Sequence, residues 1–251
     1  MIITTINAFT TASGIKITAG LALAAMVAAY LLGSIPFGLL LGFSRGVDIR
    51  KHGSGNIGAT NAGRVLGMRF FWYAFLADFL KGFIPVLISD LLALRWNAPI
   101  WIPLGTALAA VLGHLFPVYL NFKGGKGVAT TFGALLGVWP IFTLAALAAA
   151  FIFLCVFLAR RIISLSSVCG ALGLMIFVPV FGHWWPVFPA FMRTESWHKL
   201  APLIITAWVF GLMVIVKHRG NIQRLLAGTE PRMGEKKRDQ PADTGDVRKK
   251  K

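Results

Sequence analysis

The stretch VATTFGALLGVWPIFTLAALAAAFIFLCVFL, Val128–Leu158, decides the fold. It runs for 31 almost entirely apolar residues. As a single helix it would measure about 46 Å, well beyond a hydrocarbon core of about 30 Å. Gly137, Trp139 and Pro140 interrupt it near the first third, and glycine and proline both weaken a helix interior. Whether this run crosses a membrane once or twice sets the parity of every element around it.

That a membrane is involved follows from composition. Of 251 residues, 57% are hydrophobic and 14% charged, with a mean hydropathy of +0.73. A single soluble core cannot hide that much apolar side chain, so the surplus faces lipid. The apolar runs are long and continuous, which favours helices over the short alternating strands of a β-barrel. Spans are expected at roughly 20–43, 68–93, 99–120, 163–182 and 200–217, besides the deciding run. The segment Leu21–Leu41 is long enough to span and reads as a retained helix, not a signal peptide.

Charge placement chooses between one pass and two. Arg45, Arg50, Lys51, Arg64 and Arg69 follow the first span, and Lys123 and Lys126 follow the third. Arg160 and Arg161 follow the deciding run, and Lys217, Arg219 and Arg224 follow the last. With all these clusters in the cytoplasm, only Lys16, Arg95, Arg193 and Lys199 remain for the other side, as the positive-inside rule asks. This solution needs two passes between Lys126 and Arg160, the first of only about a dozen residues and therefore tilted, shielded or re-entrant. The reading is an all-α, polytopic integral membrane protein with seven transmembrane helices, N-terminus outside and C-terminus cytoplasmic. The rival has six spans and an external tail. Residues 1–230 form one transmembrane domain in this reading, and 231–251 a basic, disordered cytoplasmic tail.

The net charge is +16. Much of it lies in Lys236, Lys237, Arg238 and Arg248 to Lys251, a composition suited to anionic lipid headgroups, with no nucleic-acid partner expected. Cys155 and Cys169 lie in apolar stretches without metal spacing, so no disulfide, metal or cofactor is expected. Trp184, Trp185 and Trp197 fit an aromatic belt at the outer boundary. Asp78 and Lys81, at i and i+3, read as a neutralising pair within a span.

Under this topology three polar segments share one face. Gly53–Arg64 is glycine-punctuated and carries Ser54, Asn56, Thr60, Asn61 and Arg64, donors suited to an anion such as phosphate. Gly113-His114-Leu115-Phe116-Pro117 leads to Lys123-Gly124-Gly125-Lys126-Gly127 just before a helix, where glycines permit a backbone nest and two lysines neutralise charge. The plainer account of that second segment is a basic turn that fixes topology. It does not match the Gly-x4-Gly-Lys-Ser/Thr pattern, and no acidic residue is placed for magnesium, which disfavours a nucleotide hydrolase. The third segment holds His218, Asn221, Arg224 and Glu230, with His218 and Asn221 spaced to share a helix face. His114 reads either as a partner for backbone freed by Pro117 or as part of the site.

Together these three motifs, in order and spacing over about 25–230, resemble the bacterial membrane acyl-phosphate:glycerol-3-phosphate acyltransferases. The resemblance implies a seven-helix fold in the bacterial cytoplasmic (inner) membrane, with the site at the cytoplasmic face. It implies transfer of a fatty acyl group from acyl phosphate to the 1-hydroxyl of glycerol 3-phosphate, giving lysophosphatidic acid and inorganic phosphate in phospholipid biosynthesis. No acyl-CoA or acyl carrier protein would be used directly. The His-x4-Asp pattern of the other acyltransferase class is absent from the chain's five histidines. Carried over residue by residue, Ser54, Arg64, Lys126, His218 and Asn221 are the expected catalytic group. Asn56, Thr60, Asn61, Lys123, Gly124, Gly125, Gly127, Ser164 and Ser166 are the expected substrate contacts. Glu230 reads as structural. The hydroxyl proton goes either to His218 or, as the family resemblance suggests, to a phosphate oxygen of the donor. Ser54 has no evident activator and is assigned to hydrogen bonding.

A transporter or binding protein for an organic phosphate is the rival class. Transporters place their charges at the midplane between repeats, whereas here the cations gather at one face and no repeat appears. The partners expected are the two substrates and membrane lipid, with no stable protein partner.

Overall fold

The computed structural model describes residues 19–184 and 197–234, with the side chains of 184 and 197–199 excepted. The regular elements among them are all helical. Helix α1 (19–34) stops at Ile35–Pro36 and the chain restarts as α2 (Phe37–Phe43). A 3-10 turn, Ile49–Lys51, follows, capped by Asp48, whose carboxylate accepts the Arg50 N–H at 3.0 Å. The short α3 (Ala59–Leu66) ends at Gly67 with φ 100°, a conformation that favours glycine, and α4 (Met68–Arg95) begins at once. Helix α4 has 28 residues, about 42 Å, and so overshoots a hydrocarbon core.

The order continues with α5 (Trp101–Leu115), α6 (Val128–Leu136), α7 (Ile141–Arg160), α8 (Ile163–Trp184), α9 (Trp197–Lys217) and α10 (Arg219–Leu226). The deciding stretch is thus two helices. Gly137–Pro140 separates nine-residue α6 from twenty-residue α7. The Thr143 hydroxyl donates to the Leu136 and Val138 carbonyls at 3.2 and 3.1 Å, which satisfies acceptors left open at the end of α6.

Such a short helix survives because it is buried against α4 along glycine. A Cβ on Gly82 of α4 would come within 2.2 Å of the Thr130 carbonyl oxygen, and one on Gly133 within 2.1 Å of that of Phe79. The same device joins α1 to α5, where a Cβ on Gly33 would meet the Ala110 oxygen at 2.1 Å and one on Gly113 the Tyr30 oxygen at 2.2 Å. Close backbone approach through small residues drives helix association where lipid offers no hydrophobic gain. Phe142, Val178, Phe210, Val111 and Leu115 fill the centre.

The outer surface belongs to lipid. Leu147, Phe151, Leu154 and Leu158 of α7 are all exposed, as are Ile84, Ile88 and Leu91 of α4. By length and hydropathy five segments can cross a membrane: Ala19–Phe43, Trp101–Leu120, Ile141–Arg160, Ile163–His183 and Leu200–Lys217. Helix α4 carries Asp78, Lys81 and Asp90, and α6 is short; neither is among the five. The expected pair inside α4 forms, with Lys81 Nζ 2.8 Å from Asp78 Oδ1. The side chains of Trp184, Trp185 and Trp197, the cations Lys16, Arg193 and Lys199, and the basic run from Lys236 lie outside the described residues.

Candidate active site

The loop between α2 and α3 is shaped from within by Asn61. Its carboxamide oxygen accepts the Ser54 N–H at 2.8 Å, and its nitrogen donates to the carbonyls of Ile49 (2.8 Å) and His52 (3.1 Å). With 1% exposure and these three bonds made, Asn61 braces the loop from within. Asn56 is likewise turned inward, its oxygen accepting the Gly58 N–H at 2.9 Å in an Asx turn. What these bonds present outward is the Ser54 side chain and Arg64, both exposed, with Thr60 half-buried beside them. Among the described residues the Ser54 hydroxyl has no hydrogen-bond partner.

The glycines of the second segment approach the end of α5 closely. Gly125 gives its N–H to the His114 carbonyl at 3.1 Å, and a Cβ on it would stand 2.2 Å from His114 Nε2. A Cβ on Gly124 would meet the His114 oxygen at 2.2 Å. These two residues are glycine so that the loop can lie on the end of α5; Gly125 has no N–H left for an anion. Gly127, φ +77°, sets the turn into α6. Lys126 then projects toward the third segment, whereas Lys123 remains exposed.

There the parts meet. Lys126 Nζ donates to Asn221 Oδ1. The Asn221 amide donates to Glu230 Oε1, which also accepts the Ser164 hydroxyl at 2.7 Å. Arg224 Nε donates to Glu230 Oε2 at 2.7 Å. One carboxylate therefore joins α8, α10 and, through Asn221, the loop before α6. Ser164 is bonded within this cluster, and Ser166 is fully buried with its hydroxyl on the Ile162 carbonyl at 2.9 Å. His218, 2% exposed, caps α10 and its Nδ1 lies 2.7 Å from the Val214 carbonyl oxygen. A carbonyl only accepts, so Nδ1 carries the proton and Nε2 keeps its lone pair.

Electrostatics follow from this packing. Burial pulls Lys126 down to about 8; Glu230 opposes that shift, and the positive charges of Arg224 and Arg64 reinforce it. His218 falls to about 4, chiefly through burial and then through the Lys126 charge, and is neutral at physiological pH. Burial pushes Glu230 up, but hydrogen bonds from Asn221, Ser164 and Arg224 outweigh it and hold the carboxyl below its usual range. The result gathers Lys126, Arg64 and Arg224 around a single carboxylate, Glu230.

Beside it, an open cleft of about 680 Å³ is lined by Val47, His52, Gly53, Arg64, Val65, Pro231 and Arg232. The sequence reading missed His52 and Arg232. His52 directly precedes the glycine loop, a signal available in the sequence. Arg232 sat in the residues assigned to the tail, yet 231–234 are held in place, the Met233 N–H donating to the Arg161 carbonyl at 2.7 Å. Among the described residues no group of His, Cys, Asp and Glu is placed to hold a metal ion.

Comparison with known proteins bears on what such a site handles. Residues 23–228 match the family model described as glycerol-3-phosphate acyltransferase. The glycerol-3-phosphate acyltransferase of Aquifex aeolicus is 42% identical over 211 residues, 84% of this chain and 98% of its own. That of Geotalea daltonii is 44% identical over 205 residues, 82% and 94% of the two chains. The crystal structure of PlsY, an integral membrane glycerol 3-phosphate acyltransferase, in its glycerol 3-phosphate form superposes with a TM-score of 0.72 at 40% identity, covering 85% of this chain and 96% of that one. The lysophosphatidic acid form gives 0.70 at the same identity, with 85% and 95% covered. The chain belongs to the glycerol-3-phosphate acyltransferase family.

Proposed function

We propose that this glycerol-3-phosphate acyltransferase takes its acyl group from acyl phosphate and delivers it to the 1-hydroxyl of glycerol 3-phosphate. The products are lysophosphatidic acid and inorganic phosphate, which places the reaction at the entry to phospholipid synthesis. The observation that carries the proposal is the chain from Lys126 through Asn221 to Glu230, with Arg64 acting on the same lysine. It gathers cations from three distant segments where two phosphates must be held at once.

In this reading the hydroxyl oxygen attacks the acyl carbonyl carbon, the carbon–oxygen bond to phosphate breaks, and phosphate leaves with the bonding electrons. Lys126 and Arg64 offset the charge that builds on the carbonyl oxygen and on the departing phosphate. Ser54 and Thr60 offer hydroxyls, and Asn221 and His218 Nε2 orient the glycerol moiety. The hydroxyl proton passes to a phosphate oxygen of the donor, because a ring nitrogen held near 4 is a weak base. A mixed anhydride already carries a good leaving group, so positioning and charge suffice and Ser54 forms no covalent intermediate. The donor's acyl chain stays in the bilayer while its head reaches the site.

The proposal includes a seven-pass topology: α1 with α2, α4, α5, α6, α7, α8 and α9. The N-terminus is outside, and the site lies at the cytoplasmic face of a bacterial inner membrane. Support comes from the cations at the site end, Arg50, Arg64, Lys126, Arg161, Arg219 and Arg224, in line with the positive-inside rule.

Purified protein in detergent is expected to release inorganic phosphate only when acyl phosphate and glycerol 3-phosphate are both present. Lys126→Ala and Arg64→Ala are expected to lower turnover by about 100-fold or more at normal membrane insertion; variants working at the wild-type rate would remove those residues from the site. The alkaline limb of kcat/KM, which reports the free enzyme, is expected near pH 8. Lys126 is charged below about 8 and loses its charge above, so the rate falls as pH rises through that value; a flat profile to pH 10 contradicts this role. A C-terminal fusion reporter should be active only in the cytoplasm, and periplasmic activity would refute the orientation.

A further inference from the structure

A second polar cluster lies beneath the site, in the buried crossing of α1, α4, α5 and α6. Asp78 is 2% exposed, Lys81 7%, His114 5% and Thr130 not at all. The Lys81 ammonium has three partners: Asp78 Oδ1 at 2.8 Å, the Ile35 carbonyl at 2.7 Å and the Phe37 ring at 5.6 Å. Those last two sit at the break between α1 and α2, so Lys81 ties α4 to the wall that carries the first loop. On the other side of Asp78 stands His114, whose Nδ1 is 3.7 Å from Asp78 Oδ1 and 3.2 Å from Thr130 Oγ1. Three ionisable side chains buried in a membrane protein are costly, and an apolar trio of equal volume would pack without that cost.

Their geometry indicates what they do. The His114 ring is the surface on which Gly125 rests, and its carbonyl accepts the Gly125 N–H. The next residue is Lys126. The end of α5 is itself pinned from two further sides, by Lys217 Nζ on the Leu115 carbonyl at 3.1 Å and by the Tyr30 hydroxyl on the Phe116 carbonyl at 2.8 Å. A shift of the His114 ring therefore moves the loop and, with it, the Lys126 ammonium relative to Asn221 and Arg64.

We propose that His114 is the positioning residue of the Gly124–Lys126 loop, its ring held by Thr130 within hydrogen-bond reach of Nδ1 and oriented by the charge of the Asp78 carboxylate, paired to Lys81, 3.7 Å away. This rests on the acyltransfer reading of Lys126. It assigns Gly125 a packing role against the ring.

The test is a double-mutant cycle on Gly125 and His114, read as kcat/KM for phosphate release with both substrates. Gly125→Ala alone is expected to cost about 100-fold, the scale of an ångström misplacement of a reacting group. In the His114→Ala background, where the ring is gone and a methyl fits, the same change is expected to cost less than about threefold. Losses that simply multiply would show that Gly125 acts independently of His114 and would overturn the proposal. Asp78→Asn, nearly isosteric, gives a second cycle that does not depend on either of those variants folding. It is expected to lower turnover in wild type and to add nothing in Lys126→Ala; an equal further loss there would mark general damage and refute the assignment. Phosphate release by the wild-type protein tests the acyltransfer reading separately, since either cycle can fail while that activity stands.

Discussion

A lysine half-buried at the edge of a membrane protein keeps its charge only if its surroundings hold it, and here the opposing charge is Glu230, tied to Lys126 through Asn221. Asn221 can face the lysine with its oxygen because its amide is committed to Glu230. Glu230 in turn stays ionised because Ser164, Asn221 and Arg224 all donate to it. One carboxylate thereby decides the orientation of an amide, and the amide decides the place of a cation. The burial that lowers Lys126 to about 8 also strips water from whatever anion it meets, which strengthens their attraction.

That chain can close only if the backbones come close enough. The loop before α6 reaches the third segment because α6 is pressed onto α4 at Gly82 and Gly133, with backbone atoms where side chains would stand. The same is true of α5 against α1 at Gly113 and Gly33. In lipid, where apolar side chains gain little by leaving one hydrocarbon for another, this backbone contact supplies dispersion that larger residues would forfeit. It also fixes the end of α5, on which both glycines of the lysine loop lie. Packing and site are therefore one system.

Much of this was legible in the residues. The surplus of apolar side chain announced a membrane, and Gly137 with Pro140 marked the break between α6 and α7. The second and third polar motifs meet through Lys126 and Asn221, and Asp78 with Lys81 read as the pair they form. Roles within the motifs were not legible. Asn61 and Ser54 look alike as polar residues in a glycine loop, but one is spent inside the turn while the other faces out. Gly124 and Gly125 suggest a phosphate nest, and their close approach to the His114 ring and carbonyl is not written in their spacing. Ser166, two residues from Ser164, returns its hydroxyl to its own helix. Each of these depends on which atoms are already satisfied, a long-range fact that composition and spacing do not carry. Arg232 escaped notice because its neighbourhood reads as the start of a basic tail.

In the proposed reaction fixed charges hold both phosphates, and the acyl group passes directly from the donor phosphate to the glycerol hydroxyl with no protein nucleophile. The initial-rate pattern with acyl phosphate and glycerol 3-phosphate varied together tests this most directly. Direct transfer within a ternary complex predicts double-reciprocal lines that intersect. Parallel lines, together with an acyl adduct on Ser54 when acyl phosphate is supplied alone, would contradict it.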